Sequence, residues 1–304
     1  MLMNNCIISS PPSENTLVFF VTHCASVLHL RYDTIKTYVC GVRHHYILQG
    51  FSKPLDPKGT GLERLKLTLR GIKRSQCNQQ RKRLPLTSAI MRELLSATDT
   101  FGLDNFDKRL LQAALIISWF GGLRCGELTV SSSFDTSCNL CYCDAKIVHF
   151  NSLGKCLLLT LRASKTDIFR EGVTLHLFST PFDLCPVKIF EKYLFVRNTR
   201  DHSPYSPLFI TSNGAPLSRS VYIKWLHGLL SSTGKSNVLF NGHSARKGMA
   251  TTLAASGVSD HVIRLLGRWA SDVYRRYITT PPHVIANAQR KMANPEVDSH
   301  FGSS

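Results

Sequence analysis

One segment constrains the fold more than any other: "LDNFDKRLLQAALIISWFGGLRCGEL", residues 103–128. Phe106, Leu110, Leu111, Ala114 and Ile117 recur at helical period, and the stripe they form is wide enough that other elements must cover it. Gly121 and Gly122 break the helix. Such a helix belongs at the centre of a core. With 304 residues, 43% of them hydrophobic, the chain can build that core and still hold a second domain.

The flanking segments divide accordingly. From Ser13 to Arg74 the sequence reads as helices. Ser13 is a candidate N-cap with an acid in the following turn. Ile35, Tyr38, Val39, Val42 and Tyr46 keep a helical period, while Lys36, Arg43 and His44 lie elsewhere on that wheel. "LERLKLTLRGIKR" is a further helix with a basic outer face. "KRSQCNQQRKRLPL", residues 73–86, is polar, basic and closed by Pro85, and reads as a linker. Beyond it, Thr87 or Ser88 caps the next helix. "KCLLLTLRASKTDIFREGVTLHLF" alternates as strand, turn and strand with a break at Gly172. The expected fold is mainly α with one small antiparallel β-sheet (α+β). The expected division is a helical domain over 1–76, a linker over 77–86, a larger domain over 87–295 and a tail over 296–304.

Charge narrows the partner. There are 37 Lys and Arg against 20 Asp and Glu, a surplus of 17 positive charges. That excess favours a polyanion, most simply nucleic acid. Lys36, Arg43, Lys73, Arg74, Arg81, Lys82 and Arg83 are the candidate DNA contacts. The apolar run Leu17–Leu30 is interrupted by Thr22, His23, Ser26 and His29 and lacks a basic leader, so neither a signal peptide nor a membrane span is expected. Ten cysteines include "CNLCYC" (Cys138, Cys141, Cys143), with Cys156 nearby. No second pair stands at finger-like spacing, so free thiols are expected and no metal site.

Several residues carry chemical potential. Arg124 follows the double glycine, and Glu127, one helical step on, is placed to hold it. Lys165 falls at the turn between the two strands, where a lysine can protonate a leaving oxygen. His243 and Arg246 in "GHSARKG" share one face at a helix start, where backbone N–H groups favour an anion. "LLGRWASDVYRRYI" supplies Trp269, whose indole is a donor only, and the phenols Tyr274 and Tyr277.

Taken together and in that order, Arg124, Lys165, His243, Arg246, Trp269 and Tyr277 resemble the tyrosine recombinase (phage integrase) family. The "LGRW" and hairpin contexts are similar to the Crypton and DIRS-like recombinases of eukaryotic mobile elements. The resemblance runs from about Thr34 to Ile278. Two departures are visible. Trp269 stands where many members have histidine. Tyr277 also lies one residue closer to that tryptophan than in the Cre-like pattern, which leaves Tyr274 as the rival nucleophile.

The resemblance implies a helical, SAM-like core-binding domain followed by a catalytic domain. It implies that Tyr277 attacks a DNA phosphodiester to give a 3′-phosphotyrosyl link, with Arg124, Arg246 and Trp269 on the phosphate, His243 on the phosphate or the phenol proton, and Lys165 as acid. No cofactor is expected. Double-stranded DNA is the partner, with two protomers per site and a homotetramer on DNA. Integration or excision of a mobile element follows from the likeness, in the nucleus for a eukaryotic element and otherwise in the cytoplasm or nucleoid. An inactive domesticated DNA-binding protein and a topoisomerase IB-like relaxing enzyme are the alternatives.

Overall fold

The computed structural model describes residues 10–59, 61–76, 83–164, 167, 169–201 and 203–269, with the single positions 275, 278 and 289. The chain divides into two compact units, Met1–Arg81 and Lys82–Ser304.

In the first unit, α1 (Glu14–Ser26), α2 (Tyr32–Leu48) and α3 (Glu63–Ser75) surround a small core of Leu17, Val21, Cys24, Ile35, Leu55 and Leu65. The Ser13 hydroxyl accepts from Thr16 N–H at 3.2 Å, the N-cap expected from the sequence. Two side chains help to close the unit through long-range bonds. Glu14 accepts from Leu65 N–H at the start of α3 (3.1 Å). Gln76 accepts from Tyr32 N–H (2.7 Å) and donates to the Leu30 carbonyl (2.8 Å). Backbone groups left over at the helix ends are satisfied in this way.

The second unit contains α4 (Ser88–Ala97), α5 (Asn105–Phe120), α6 (Cys125–Leu128), β1 (Ala145–Phe150), β2 (Gly154–Leu161), β3 (Val173–Phe178), α7 (Pro186–Arg197), α8 (Arg219–Ser232), α9 (Ser244–Ala255) and α10 (Asp260–Gly267). The strands form one antiparallel sheet in the order β1-β2-β3. This is the mainly helical fold with one small sheet that the sequence leads one to expect. β1 is the addition. Among the described strands it is an edge strand paired with β2, and its residues are half-buried or exposed, so its polar Lys146 and His149 hide the alternation.

α5 is more deeply enclosed than one stripe requires. Leu110, Leu111 and every residue from Ala113 to Trp119 are buried. It packs against α7 on one side and α9 on another. Gly248 sets how closely α9 approaches. A Cβ there would stand 1.9 Å from the Leu86 carbonyl oxygen and 2.9 Å from the Trp119 indole nitrogen. That nitrogen donates to the same carbonyl at 2.7 Å. The start of α9 is thereby pinned against the end of α5, and the residues of interest lie at that junction.

A buried cluster of arginines

α5 ends at Gly121, and Gly122 turns the chain with φ +53. A side chain at that φ is strained, and a Cβ would also meet the Met249 sulfur at 2.7 Å. The turn places Arg124 as the N-cap of the short helix α6. Glu127 then reaches back in two ways. Its carboxylate accepts from the Arg124 backbone N–H (2.9 Å) and from the Arg124 guanidinium (2.8 Å). The i, i+3 pair legible in the sequence is present, but the carboxylate has a further partner. Arg268 Nη2 donates at 2.9 Å to Oε2, the oxygen that also accepts from the Arg124 backbone N–H.

Glu127 is nearly enclosed, its side chain 5% exposed. Burial pushes its carboxyl up. The Arg268 charge, the Arg124 backbone N–H and the two guanidinium hydrogen bonds more than offset that, so its pKa lies below the ordinary glutamate value.

Arg246, in the first turn of α9, is 1% exposed. Its Nη1 donates to the Gly122 carbonyl at 2.6 Å, although the two residues are 124 positions apart. Its Nη2 donates to the Gly267 carbonyl at the end of α10. The guanidinium carbon lies 4.5 Å from the centre of the Trp269 ring. Gly267 makes that stacking possible, since a Cβ there would fall 1.6 Å from the ring. Arg246 is thus a buried cation held by two carbonyls and an aromatic face. A carbonyl orients a guanidinium without neutralising it.

Of the residues singled out from the sequence, Arg124, Glu127, Arg246 and Trp269 therefore meet in one network. His243 immediately precedes α9 and is exposed. Gly242 next to it packs so tightly on Cys125 that a Cβ would lie 2.6 Å from the Cys125 Cβ. His243 and Arg124 are accordingly each one residue from the same contact. Lys165, Tyr274 and Tyr277 lie outside the described residues, as do Arg81, Lys82 and the segment 279–288.

The candidate DNA contacts Lys36 and Arg43 on α2, and Lys73 and Arg74 on α3, are exposed, with Lys73 5.4 Å from the Tyr32 ring centre. Arg83 differs from them. It is half-buried in the second unit and donates to the Val238 carbonyl.

In the cysteine cluster, the exposed Cys138 lies 3.5 Å from an Asp135 carboxylate oxygen. Cys141 is buried, and its thiol is pushed up to about 11, chiefly by that burial. Cys143 accepts from Arg162 at 3.2 Å. Among the described residues no group of three His, Cys, Asp or Glu is placed to hold a metal ion, and no helix is long and apolar enough to cross a membrane.

One residue of the network does not stand out in the sequence. Arg268 sits between two residues that attract attention, Gly267 and Trp269. It joins the network through Glu127 and through the Gly122 carbonyl, to which its Nη2 lies at 3.3 Å.

No protein-family model matches the chain. It is 23% identical over 291 residues to an integrase/recombinase XerD homolog of Selenomonas ruminantium, a match covering 93% of this chain and 78% of the relative. Among solved structures it resembles the XerH site-specific recombinase bound to its palindromic difH substrate. That likeness has a TM-score of 0.60 at 14% identity and covers 93% of this chain and 71% of that one. It also resembles the Tn1549 transposon integrase in complex with circular intermediate DNA, with a TM-score of 0.52 at 14% identity, over 92% and 85% of the two chains. The chain spans about half the length of the Flp recombinase chains it also matches. The fold is that of the tyrosine recombinase catalytic domain with a helical unit before it.

Proposed function

We propose that the chain is a tyrosine-type site-specific DNA recombinase. The observation that carries this reading is the convergence of Arg124 and Arg246. Two guanidinium groups from distant parts of the chain are held at one junction, through the Gly122 carbonyl and the Glu127 carboxylate. Preorganised cations of this kind stabilise charge growing on a phosphoryl group and need no reorganisation when it appears.

In the proposed reaction the Tyr277 phenol oxygen attacks the phosphorus. A new O–P bond forms and the bond from phosphorus to the 5′-oxygen breaks. Arg124 and Arg246 clamp the non-bridging oxygens. His243 takes the phenol proton, and Lys165 gives a proton to the departing 5′-oxygen. The 3′-phosphotyrosyl link keeps the phosphodiester energy, so attack by a 5′-hydroxyl reverses the step and rejoins the strand. Double-stranded DNA is the proposed partner, two protomers on each site and four in the synaptic complex. Integration or excision of a mobile element is the proposed role, and nuclear residence follows if that element is of the eukaryotic Crypton or DIRS-like kind.

The test is a suicide duplex taken from the DNA flanking the chain's own gene, nicked so that the released fragment diffuses away. The wild type should accumulate a covalent protein–DNA adduct, in EDTA as well as without it. Tyr277→Phe should form none while binding the duplex as before. An adduct that survives in Tyr277→Phe moves the nucleophile to Tyr274. An adduct lost on chelation contradicts the mechanism.

A further inference from the structure

We infer that Arg268 is a third phosphate-binding guanidinium, and that Trp269 serves as the plate that orients Arg246. This rests on the proposed function and adds a contact residue to it.

The first observation is backbone conformation. Arg268 ends α10 with φ 54 and ψ 47, in the left-handed region. Helices commonly close there with glycine or asparagine, because a larger side chain is strained. An arginine at such a position points to a role for its side chain.

The second is what that side chain does. Nη2 bridges the Glu127 carboxylate and the Gly122 carbonyl. Arg124 uses the same carboxylate and Arg246 the same carbonyl. Arg268 therefore links both arginines of the proposed clamp. Its Nε and Nη1 are buried and have no hydrogen-bond partner among the described residues. Buried donors on a cation are costly to leave unpaired, and a ligand rich in acceptor oxygens relieves that cost.

The third is charge. Two guanidinium groups, those of Arg124 and Arg268, share one carboxylate. The excess calls for a tetrahedral oxyanion, and the scissile phosphate is the one the proposed reaction brings.

Trp269 reads differently. Its ring lies over Arg246 and packs with Ala250 and Ile263 in a small apolar cluster. Stacking of that kind fixes the plane of the guanidinium.

The experiment has two readouts on the full chain. One is the rise in Tm caused by inorganic phosphate. The other is the rate of adduct formation on the suicide duplex, with DNA affinity measured alongside. Arg268→Met is compared with Lys188→Met, which removes an equal charge from an exposed site on α7 outside the network.

Arg268→Met should lose most of the phosphate-induced rise that the wild type and Lys188→Met share. Its adduct rate should fall about 100-fold or more, with DNA affinity within about threefold, since one phosphate contact among several is removed. Trp269→Phe, which keeps a ring, should lose less than Arg268→Met. A phosphate response in Arg268→Met equal to that of Lys188→Met overturns the assignment, and so does a wild-type adduct rate. If the wild type forms no adduct but its phosphate response depends on Arg268, the anion site stands and the recombinase reading falls. Should Arg268→Met fail to fold, Arg268→Lys is read instead. It keeps the charge but not the fork, and an unchanged phosphate response and adduct rate there overturn the assignment equally.

Discussion

The two units use positive charge in opposite ways. In the first, Lys36, Arg43, Lys73 and Arg74 stand exposed on α2 and α3, above a core of six buried residues. Such charges act as a field. They are screened by salt and tolerate small movements. In the second, Arg246 is almost fully enclosed, and Arg124 and Arg268 are tied to one buried carboxylate. These charges act through geometry, because each guanidinium is held in a fixed plane with fixed acceptors. The first arrangement suits affinity for a uniform polyanion, and the second suits recognition of a single phosphate. Mutation should separate the two.

The largest effect is expected where geometry is most constrained. Gly248→Ala would drive a Cβ into the Leu86 carbonyl, which is backbone and cannot swing away. A loss of about 3 kcal/mol or more is expected by urea denaturation. A loss below about 1 kcal/mol would mean that the contact between α9 and Leu86 yields more readily than its closeness suggests. Arg246→Met comes next. It leaves the Gly267 carbonyl without this donor, at about 1–3 kcal/mol for the buried group, while the Gly122 carbonyl keeps Arg268, and it should abolish measurable adduct formation. Retained activity would remove Arg246 from the clamp.

Glu127→Gln should be milder and dependent on pH. The folded-state pKa of Glu127 is depressed, so its contribution is fully present above the ordinary glutamate value of 4.5. It is lost as pH falls through the lower folded value. Wild type and Glu127→Gln should differ in Tm at pH 7 and converge in strong acid. A constant gap across that range would show that the carboxylate's ionisation does not drive the effect.

Local signals were legible in the sequence, and long-range ones were not. α5 could be read because its apolar period is unbroken. The caps at Ser13 and Thr87 could be read because a hydroxyl before a helix has one obvious use. Arg124 and Glu127 lie a helical step apart, so their pairing was visible as well. β1 was not, since an edge strand need not alternate. Nor was the bond from Arg246 to Gly122, where a backbone carbonyl is the acceptor and any residue carries one. Arg268 was overlooked for a related reason. Its left-handed backbone is set by the fold, and its partner Glu127 lies 141 positions away. The neighbouring tryptophan was the more conspicuous donor.

The smallest effects on stability belong to the first unit. Replacing Lys36, Arg43 and Arg74 one at a time by Met should change folding stability by no more than about 0.5 kcal/mol, because each side chain is exposed. Each that contacts a phosphate should instead lower the slope of log affinity against log salt by about one. The loss should be similar for unrelated duplex sequences, since a phosphate carries no base identity. Arg83→Met should behave otherwise. Its guanidinium is bonded to the Val238 carbonyl, so it should cost stability with little change in the salt slope. If Arg83→Met instead reduced the slope like the others, that arginine would leave its carbonyl when DNA is present, and the line between charge as field and charge as geometry would have to be redrawn there.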